Sequence, residues 1–460
     1  MKFSKFLLYL YKIAPIWLQN ILISVYGLYT RYVLYGSKYN NYLKQFAQQN
    51  FKDIESLEKY QLKEFKKLLV YAVNNSQFYR KFYQNVNLDS LQNIEDINKL
   101  PILSKELLRK NIKDIYTVPE RGNFIAKTGG TTGKPLTVVF LKEDAYKRNA
   151  FLDNFKSQHG FINLKMKTAR FMGRDIIPAN QKKKVFWRNN YPLKIRYYSS
   201  FYITKENLKY YVDDLNKYKP QGIDGFISSI YEVAKYIKDN KIQLSFKPIA
   251  IFPTAETVLP IHRKIINEVF SCPILNQYAS NEGAPFITEC KSGHLHENIT
   301  TGVFEHIKTN DGIKLLVTSF NTYGTPLIRY DIGDYIVESK NSHLNSECLE
   351  PIISSIEGRS HEFLFAQDMR KINTTALSSL MQDFPNSILN AQFIQDSFQE
   401  IHIKLAIDKN AFNEKNTIQI EKSMQNLFGN EMKLRIDLVE IIEREKSGKY
   451  LLIKNGLATH

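Results

Sequence analysis

The residues best suited to chemistry stand together at Thr128-Gly129-Gly130-Thr131-Thr132-Gly133-Lys134-Pro135. Glycines at this density let the backbone approach a polyanion, and their amides can cradle phosphate oxygens. The hydroxyls of Thr128, Thr131 and Thr132 add donors, and Lys134 adds a positive charge. The string is not a Walker loop. That motif needs four residues between its first Gly and its Gly-Lys, then Ser or Thr; here three residues separate Gly129 from Gly133, and Pro135 follows the lysine. The plain alternative is a glycine-rich turn between two strands, although such turns rarely combine three threonines with a lysine.

The string resembles the phosphate-binding loop of adenylate-forming enzymes, the superfamily of acyl-CoA synthetases, peptide-synthetase adenylation domains and luciferases. Other segments resemble further motifs of that superfamily, in the expected order. Thr254-Ala255-Glu256 resembles the adenine-lining Gly-Ala-Glu loop. Tyr278-Ala279-Ser280-Asn281-Glu282 resembles Tyr-Gly-x-Thr-Glu, with Ala279 replacing the Gly and Asn281 the Thr. The resemblance assigns Tyr278, Ala279 and Ser280 to the nucleotide, and Glu282 to Mg2+. Arg329-Tyr330-Asp331-Ile332-Gly333-Asp334 resembles Tyr-x-x-Gly-Asp, whose last acid grips the ribose hydroxyls. Gly358-Arg359 resembles the Gly-Arg that closes the large domain, with Arg359 reaching the nucleotide. Glu445-Lys446-Ser447-Gly448-Lys449 resembles the Ser-Gly-Lys that presents the catalytic lysine. The implied catalytic set is Lys449, Thr131 and Glu282.

Each assignment makes physical sense. A Mg-ATP complex needs a hard carboxylate such as Glu282. A ribose diol suits one carboxylate, Asp334, accepting two hydrogen bonds. Attack of a substrate carboxylate on the α-phosphate brings two anions together, so a cation such as Lys449 must screen them in the transition state. Taken singly, Glu282, Arg359 or Lys449 would be a solvated surface charge; the ordered set is what carries weight.

Within the superfamily the chain most resembles the phenylacetate-CoA ligase-like branch, and there the capsular polysaccharide biosynthesis CapK type. Pro326-Leu327-Ile328-Arg329-Tyr330-Asp331, the stretch Asp224–Ser229 and the basic, aromatic N-terminus carry this likeness, which runs nearly end to end. It implies activation of an aryl or acyl acid toward coenzyme A and a link to surface polysaccharide assembly. At the hinge the branch has an acidic pair where this chain has Ser360-His361-Glu362, leaving Glu362 as the hinge residue. Some relatives hold zinc with a Cys, a His and a Cys-x-Cys-Gly element. Here Cys290 and His294 or His296 stand at suitable spacing, but only Cys348 remains of the later pair. Three ligands without a fourth make a poor structural site, so no zinc is expected.

These residues need a scaffold. The helical spacing of Ile54, Leu57, Phe65, Leu68, Leu69 and Ala72 predicts an amphipathic helix over 54–75, with Gln61 its polar break. A helix capped by Ser104 is predicted next, then strands near Phe124 and at 136–140 on either side of the glycine loop. From there to about 340, short apolar runs alternate with helical stretches, for example Glu206–Leu215, Ile230–Lys238, Ile249–Phe252 and Ile261–Val269, which argues for an α/β architecture. The expected fold is a large, multi-layer N-terminal adenylation domain with a small, mobile α+β C-terminal domain. Its segments are 1–50, a basic aromatic helical segment; 51–359, binding ATP and the acid; and 360–460, carrying Lys449. In the last, helices are predicted at 374–381 and 416–427, and strands at 391–395, 401–407 and 433–438. The acid pocket is expected from residues 152–200 and 225–231, where Phe186, Trp187 and Tyr231 suit an apolar acid or belong to the core.

The charge of +17 asks for a partner. The basic residues are dispersed and form no nucleic-acid-reading module, so no nucleic acid is expected. Residues 1–50 hold six basic residues (Lys2, Lys5, Lys12, Arg31, Lys38, Lys44) and no acid before Asp53. The apolar stretches there are too interrupted for a bilayer span of about 20 residues. Either residues 1–35 form a helix lying peripherally in the membrane headgroups, or they form a helical hairpin covering the main domain. Three sparse cysteines fit a reducing cytoplasm, at the inner face of the membrane if such contact exists. The expected activity is ATP-dependent ligation of a carboxylic acid to the thiol of CoA. An amine on a sugar as acceptor, and a nucleotide-binding assembly factor without catalysis, are the alternatives.

Overall fold

The computed structural model describes residues 5–127, 136–339, 349–357, 363–442 and 452–459, apart from 175, 179–180, 205, 257, 259, 310–311, 382–383, 386, 408–411 and 440–441. The chain opens with three helices, α1 (Lys5–Ile13), α2 (Ile16–Leu34) and α3 (Ser37–Gln48). α3 packs on the helix Lys142–Gln158. Next comes α4 (Ile54–Asn75), at the predicted bounds. Asp53 caps it, its carboxylate accepting the Ser56 amide at 2.8 Å. Leu57, Phe65, Leu68, Leu69 and Ala72 are buried as the periodicity requires. Gln61 is buried with them, and its Nε2 donates to the Gly302 carbonyl at 2.8 Å. The one polar break in the stripe is thus a cross-link between α4 and a strand end.

A hairpin of β1 (Phe124–Lys127) and β2 (Thr137–Phe140) flanks the glycine-rich string. Five strands follow in one sheet: β3 (Thr168–Met172), β4 (Trp187–Asn190), β5 (Ile195–Ser199), β6 (Gly222–Gly225) and β7 (Ala250–Pro253). Their order is β4-β5-β3-β6-β7, parallel except for the edge strand β4. The helices Leu208–Tyr218, Ile227–Asp239 and Pro260–Phe270 cover it, burying Phe171, Tyr198, Tyr211, Ile230 and Ile266 in one core. Strands buried on both faces read as continuous apolar runs, which is how Ile249–Phe252 stood out in the sequence.

A second, antiparallel sheet comprises β8 (Gln277–Tyr278), β9 (Ile287–Glu289), β10 (Leu295–Glu297), β11 (Gly302–Thr309), β12 (Gly312–Ser319), β13 (Tyr330–Glu338) and β14 (Ile352–Glu357), in the order β11-β12-β13-β14-β10-β9-β8. Its core is shared with α4 and the β1–β2 hairpin. Towards the C-terminus lie β15 (Phe363–Phe365) paired with β16 (Lys371–Asn373), and a mixed sheet of β17 (Ile388–Ser397), β18 (Glu400–Ile407), β19 (Lys433–Val439) and β20 (Ile453–Asn455), ordered β19-β18-β17-β20. Helices Thr374–Met381 and Glu414–Phe428 pack on it, at the positions the sequence pattern indicates.

α2 lies along β4, with its polar side inward. Gln19 accepts from Arg188 Nε at 2.5 Å, Asn20 from the Asn189 amide at 2.9 Å, and Arg31 donates to the Pro192 carbonyl at 3.0 Å. Gly27 is buried in the contact; a Cβ there would stand 2.0 Å from Asn190 Oδ1. Among the described residues, no helix is long and apolar enough to cross a membrane.

Arg329 ties the chain together at the start of β13. Its backbone is left-handed, φ 50°. Its guanidinium is buried, pairing with Glu305 at 2.8 Å and donating to the carbonyls of Asn98 and Leu100. Its own carbonyl accepts from the Leu103 amide, and the Asp331 amide donates back to Leu103. Burial lifts the Glu305 carboxyl above its usual range, although Arg329 pulls it down. Arg329→Met should therefore cost about 3–5 kcal/mol in urea unfolding, because Glu305 is left buried without its cation. Arg329→Met with Glu305→Gln should recover part of that loss.

Candidate active site

In open α/β sheets ligands bind beyond the carboxyl ends of the strands, and two predicted residues lie there. β6 ends at Gly225, φ 114°, whose carbonyl accepts the Thr254 amide at 2.9 Å, joining the ends of β6 and β7. Ala255 follows with φ 65°, so the predicted adenine-lining segment turns sharply. The Glu256 carboxylate accepts from both the amide and the hydroxyl of Ser228, each at 2.9 Å. Ser228 opens the helix Ile227–Asp239, where a carboxylate suits the positive end of the helix dipole. Glu256 thus shapes the loop by holding it to that helix. Behind it, buried Asp224 accepts two hydrogen bonds from Arg170 at 2.7 and 2.5 Å and lies 3.6 Å from Lys156. Burial alone would raise the Asp224 carboxyl; the two cations outweigh it and hold it below the usual range.

The second group lies on the antiparallel sheet. The Tyr278 hydroxyl donates to Asp334 Oδ2 at 2.6 Å. Tyr278 is on β8 and Asp334 on β13, four strand spacings apart in the sheet order. A flat sheet would separate them by about 19 Å at ~4.8 Å per strand, so the sheet must curl for the bond to form. The two motifs, 56 residues apart, therefore meet. Within the turn after β8, Ser280 Oγ accepts the Ala284 amide at 3.0 Å. Nearly buried Glu282 takes Lys105 Nζ at 3.2 Å on Oε1. Arg148 braces the turn from beneath, donating to the carbonyls of Gly283 and Ala284 at 2.8 and 2.9 Å and lying over the Phe286 ring. Burial draws the Arg148 pKa down to about 10, so it stays charged near neutrality.

Ala255, Glu256, Tyr278, Ala279, Ser280, Glu282 and Asp334 all fall within the described residues. Thr128, Gly129, Gly130, Thr131, Thr132, Gly133, Lys134, Arg359, Glu362 and Lys449 lie outside them. One expectation is narrowed: Phe186 is core, stacked on Tyr202 and Tyr211 at 5.3 and 5.6 Å between ring centres. Lys105 and Arg148 are contributors that the motifs did not reveal, and Ser228, within the stretch Asp224–Ser229, had been given no role. The Ser104 cap, bonded to the Leu107 amide at 3.1 Å, marks the helix that delivers Lys105, but nothing local points across 177 residues to Glu282.

Comparison with known proteins extends the picture. The profile of the CapK C-terminal domain matches residues 364–456. Protein CapK of Staphylococcus aureus is 37% identical over 453 residues, spanning 98% of this chain and 99% of that one. Among solved structures, 2-hydroxyisobutyryl-CoA ligase in the postadenylation state with R3-HIB-AMP superposes with a TM-score of 0.53 at 14% identity, covering 87% of this chain and 90% of that one. The same ligase with 2-HIB-AMP and CoA, in its thioesterification state, also gives 0.53, at 15% identity and 86% and 90% coverage. At such identities the likeness is one of fold: the α/β fold of an adenylate-forming CoA ligase.

Away from these residues, the turn between β9 and β10 gathers Cys290, His294 and His296, whose ligand atoms all lie within 4.8 Å of one another. Both histidines that the sequence offered as alternatives stand beside Cys290. His296 is buried, its Nδ1 faces the Glu350 carbonyl at 3.4 Å, and its Nε2 has no hydrogen-bond partner. Burial also lowers its pKa, favouring the neutral, metal-binding ring. These three side chains could hold a metal ion, and Cys348, the remaining candidate ligand, lies outside the described residues. Zinc added to chelator-stripped protein should raise Tm by about a few degrees, and Cys290→Ser should abolish the rise.

Proposed function

The chain belongs to the CapK family and has the fold of adenylate-forming CoA ligases; from that premise we propose that it is an ATP-dependent ligase that activates a carboxylic acid as acyl-AMP and transfers the acyl group to the thiol of CoA, in the service of surface polysaccharide biosynthesis. The observation that carries this reading is the 2.6 Å bond from Tyr278 to Asp334. It brings together an aromatic suited to flank an adenine and a carboxylate suited to a ribose diol, from motifs that are separate in sequence.

In this reading residues 128–135 cradle the triphosphate with backbone amides and the hydroxyl of Thr131. An oxygen of the substrate carboxylate attacks the α-phosphorus, the bond to the bridging oxygen breaks, and pyrophosphate leaves. Lys449 and Arg359 offset the negative charge that gathers as two anions approach. Glu282 suits Mg2+, since that ion takes one or two carboxylates and completes its shell with phosphate oxygens and water; it would supply charge neutralisation at the departing pyrophosphate. Lys105, whose Nζ lies 3.2 Å from Oε1 of Glu282, holds that carboxylate in position. In the second half the CoA sulfur attacks the acyl carbon, AMP departs with the former carboxylate oxygen, and the thiol proton passes to solvent. We assign the small domain to 360–460 and its swing to the hinge at Glu362, a motion of the hinge class.

The test is exchange of labelled pyrophosphate into ATP across a panel of aryl, fatty and amino acids. One class should support exchange. Lys449→Ala should then lower the rate by about 100-fold or more. Asp334→Asn should raise the KM for ATP by about tenfold while changing kcat little, reflecting lost charge-assisted hydrogen bonds of roughly 1.5 kcal/mol. Offering CoA or amines to the pre-formed adenylate identifies the acceptor; CoA is expected. No exchange with any acid, together with an inert Lys449→Ala, would overturn the ligase and favour a nucleotide-binding assembly factor.

A further inference from the structure

A helix on a protein surface ordinarily turns its apolar stripe to the core and its polar face to water. α2 does the reverse. Its polar residues bond to β4 and the segment beyond, while Trp17, Ile21, Val25, Leu28, Tyr29 and Tyr32 face outward. Their spacing of three and four places them along one side of the helix. Trp17 is 64% exposed and Tyr32 86%. α1 extends the same surface with Tyr9, Leu10 and Ile13. Of the twenty-two large hydrophobic side chains exposed among the described residues, ten fall between positions 9 and 32. A contiguous apolar surface of this kind marks an interaction site.

We propose that this face beds into an anionic lipid bilayer, with α1 and α2 lying in the plane of the headgroups. Charge selects the occupant. Six lysines and arginines and no carboxylate occupy residues 1–50, and exposed Lys12 and Arg31 border the apolar stripe. Cations beside inserted aromatics suit negatively charged headgroups. Trp and Tyr are the side chains that settle at the boundary between headgroup and acyl chain. A second copy of the chain would set two basic, acid-free segments against each other. Neither helix can span the bilayer, so the contact is peripheral. The inference concerns where the molecule works and is independent of the ligase reading.

The full-length protein is floated with vesicles of phosphatidylglycerol and phosphatidylcholine, or of phosphatidylcholine alone. It should rise with the anionic vesicles and bind the neutral ones at least about tenfold more weakly. Ile21→Glu with Val25→Glu, both exposed, should leave the thermal unfolding curve in place and weaken flotation by about tenfold or more. Trp17 emission should shift to the blue on binding, and Trp17→Phe, which leaves Trp187 alone, should abolish the shift. The proposal is overturned if the wild type stays unbound at the bottom of the gradient, if the double variant floats as well as the wild type, or if the blue shift survives in Trp17→Phe. It is equally overturned if the wild type is a dimer that the double variant splits and that ignores vesicles.

Discussion

Arg329 is the interaction on which the arrangement turns. A buried guanidinium is costly unless each donor finds an acceptor, and here the acceptors come from three places: Glu305 on β11 and the carbonyls of Asn98 and Leu100. The carbonyl of the same residue accepts the Leu103 amide, and Asp331 two residues on donates back to Leu103. One ion therefore fixes the beginning of β13, which carries Asp334, against the stretch that leads into the helix bearing Lys105. Motif resemblance assigned Arg329 no role of its own; the structure makes it the joint between two sides of the candidate site.

What Arg329 does locally, the curl of the antiparallel sheet does at larger scale. β8 and β13 are distant in strand order, yet Tyr278 and Asp334 touch, so these two candidate-site residues meet across the curl of the sheet. The parallel sheet contributes from its carboxyl edge through a loop anchored by Glu256 on Ser228. The two halves are built on different principles: one on strand ends, the other on strand curvature. Both set their functional groups through buried charge pairs, Arg170 with Asp224 and Lys105 with Glu282. Such pairs fix geometry more than they add stability.

Much of this was legible in the sequence, and what was not has physical causes. α4 stood out because six apolar residues recur at helical spacing between Ile54 and Ala72, about five turns. The glycine-rich string was flanked by apolar β-branched runs, and those became β1 and β2. Tyr278, Glu282 and Asp334 were visible because each belongs to a motif with an internal pattern. Lys105 was invisible because its meaning arises only from a contact far away in the chain. Phe186 could not be assigned, since a core aromatic and a pocket aromatic look alike until the neighbours are known. The orientation of α2 stayed open between a headgroup helix and a hairpin covering the domain, because the sequence does not show that the edge strand β4 offers arginine and asparagines to its polar side.

Gly27 has a consequence for that helix. With no side chain there, the backbone of α2 rests directly on Asn190, and the helix has one azimuth on its strand. Each residue along a helix turns the face by about 100°, so even a fraction of that rotation would swing the aromatic row aside. A methyl group at position 27 would have to displace the buried Asn190 side chain, whose Oδ1 would stand 2.0 Å away. The bearing of the whole molecule toward whatever lies outside α2 is thus registered by the bare Cα of one residue.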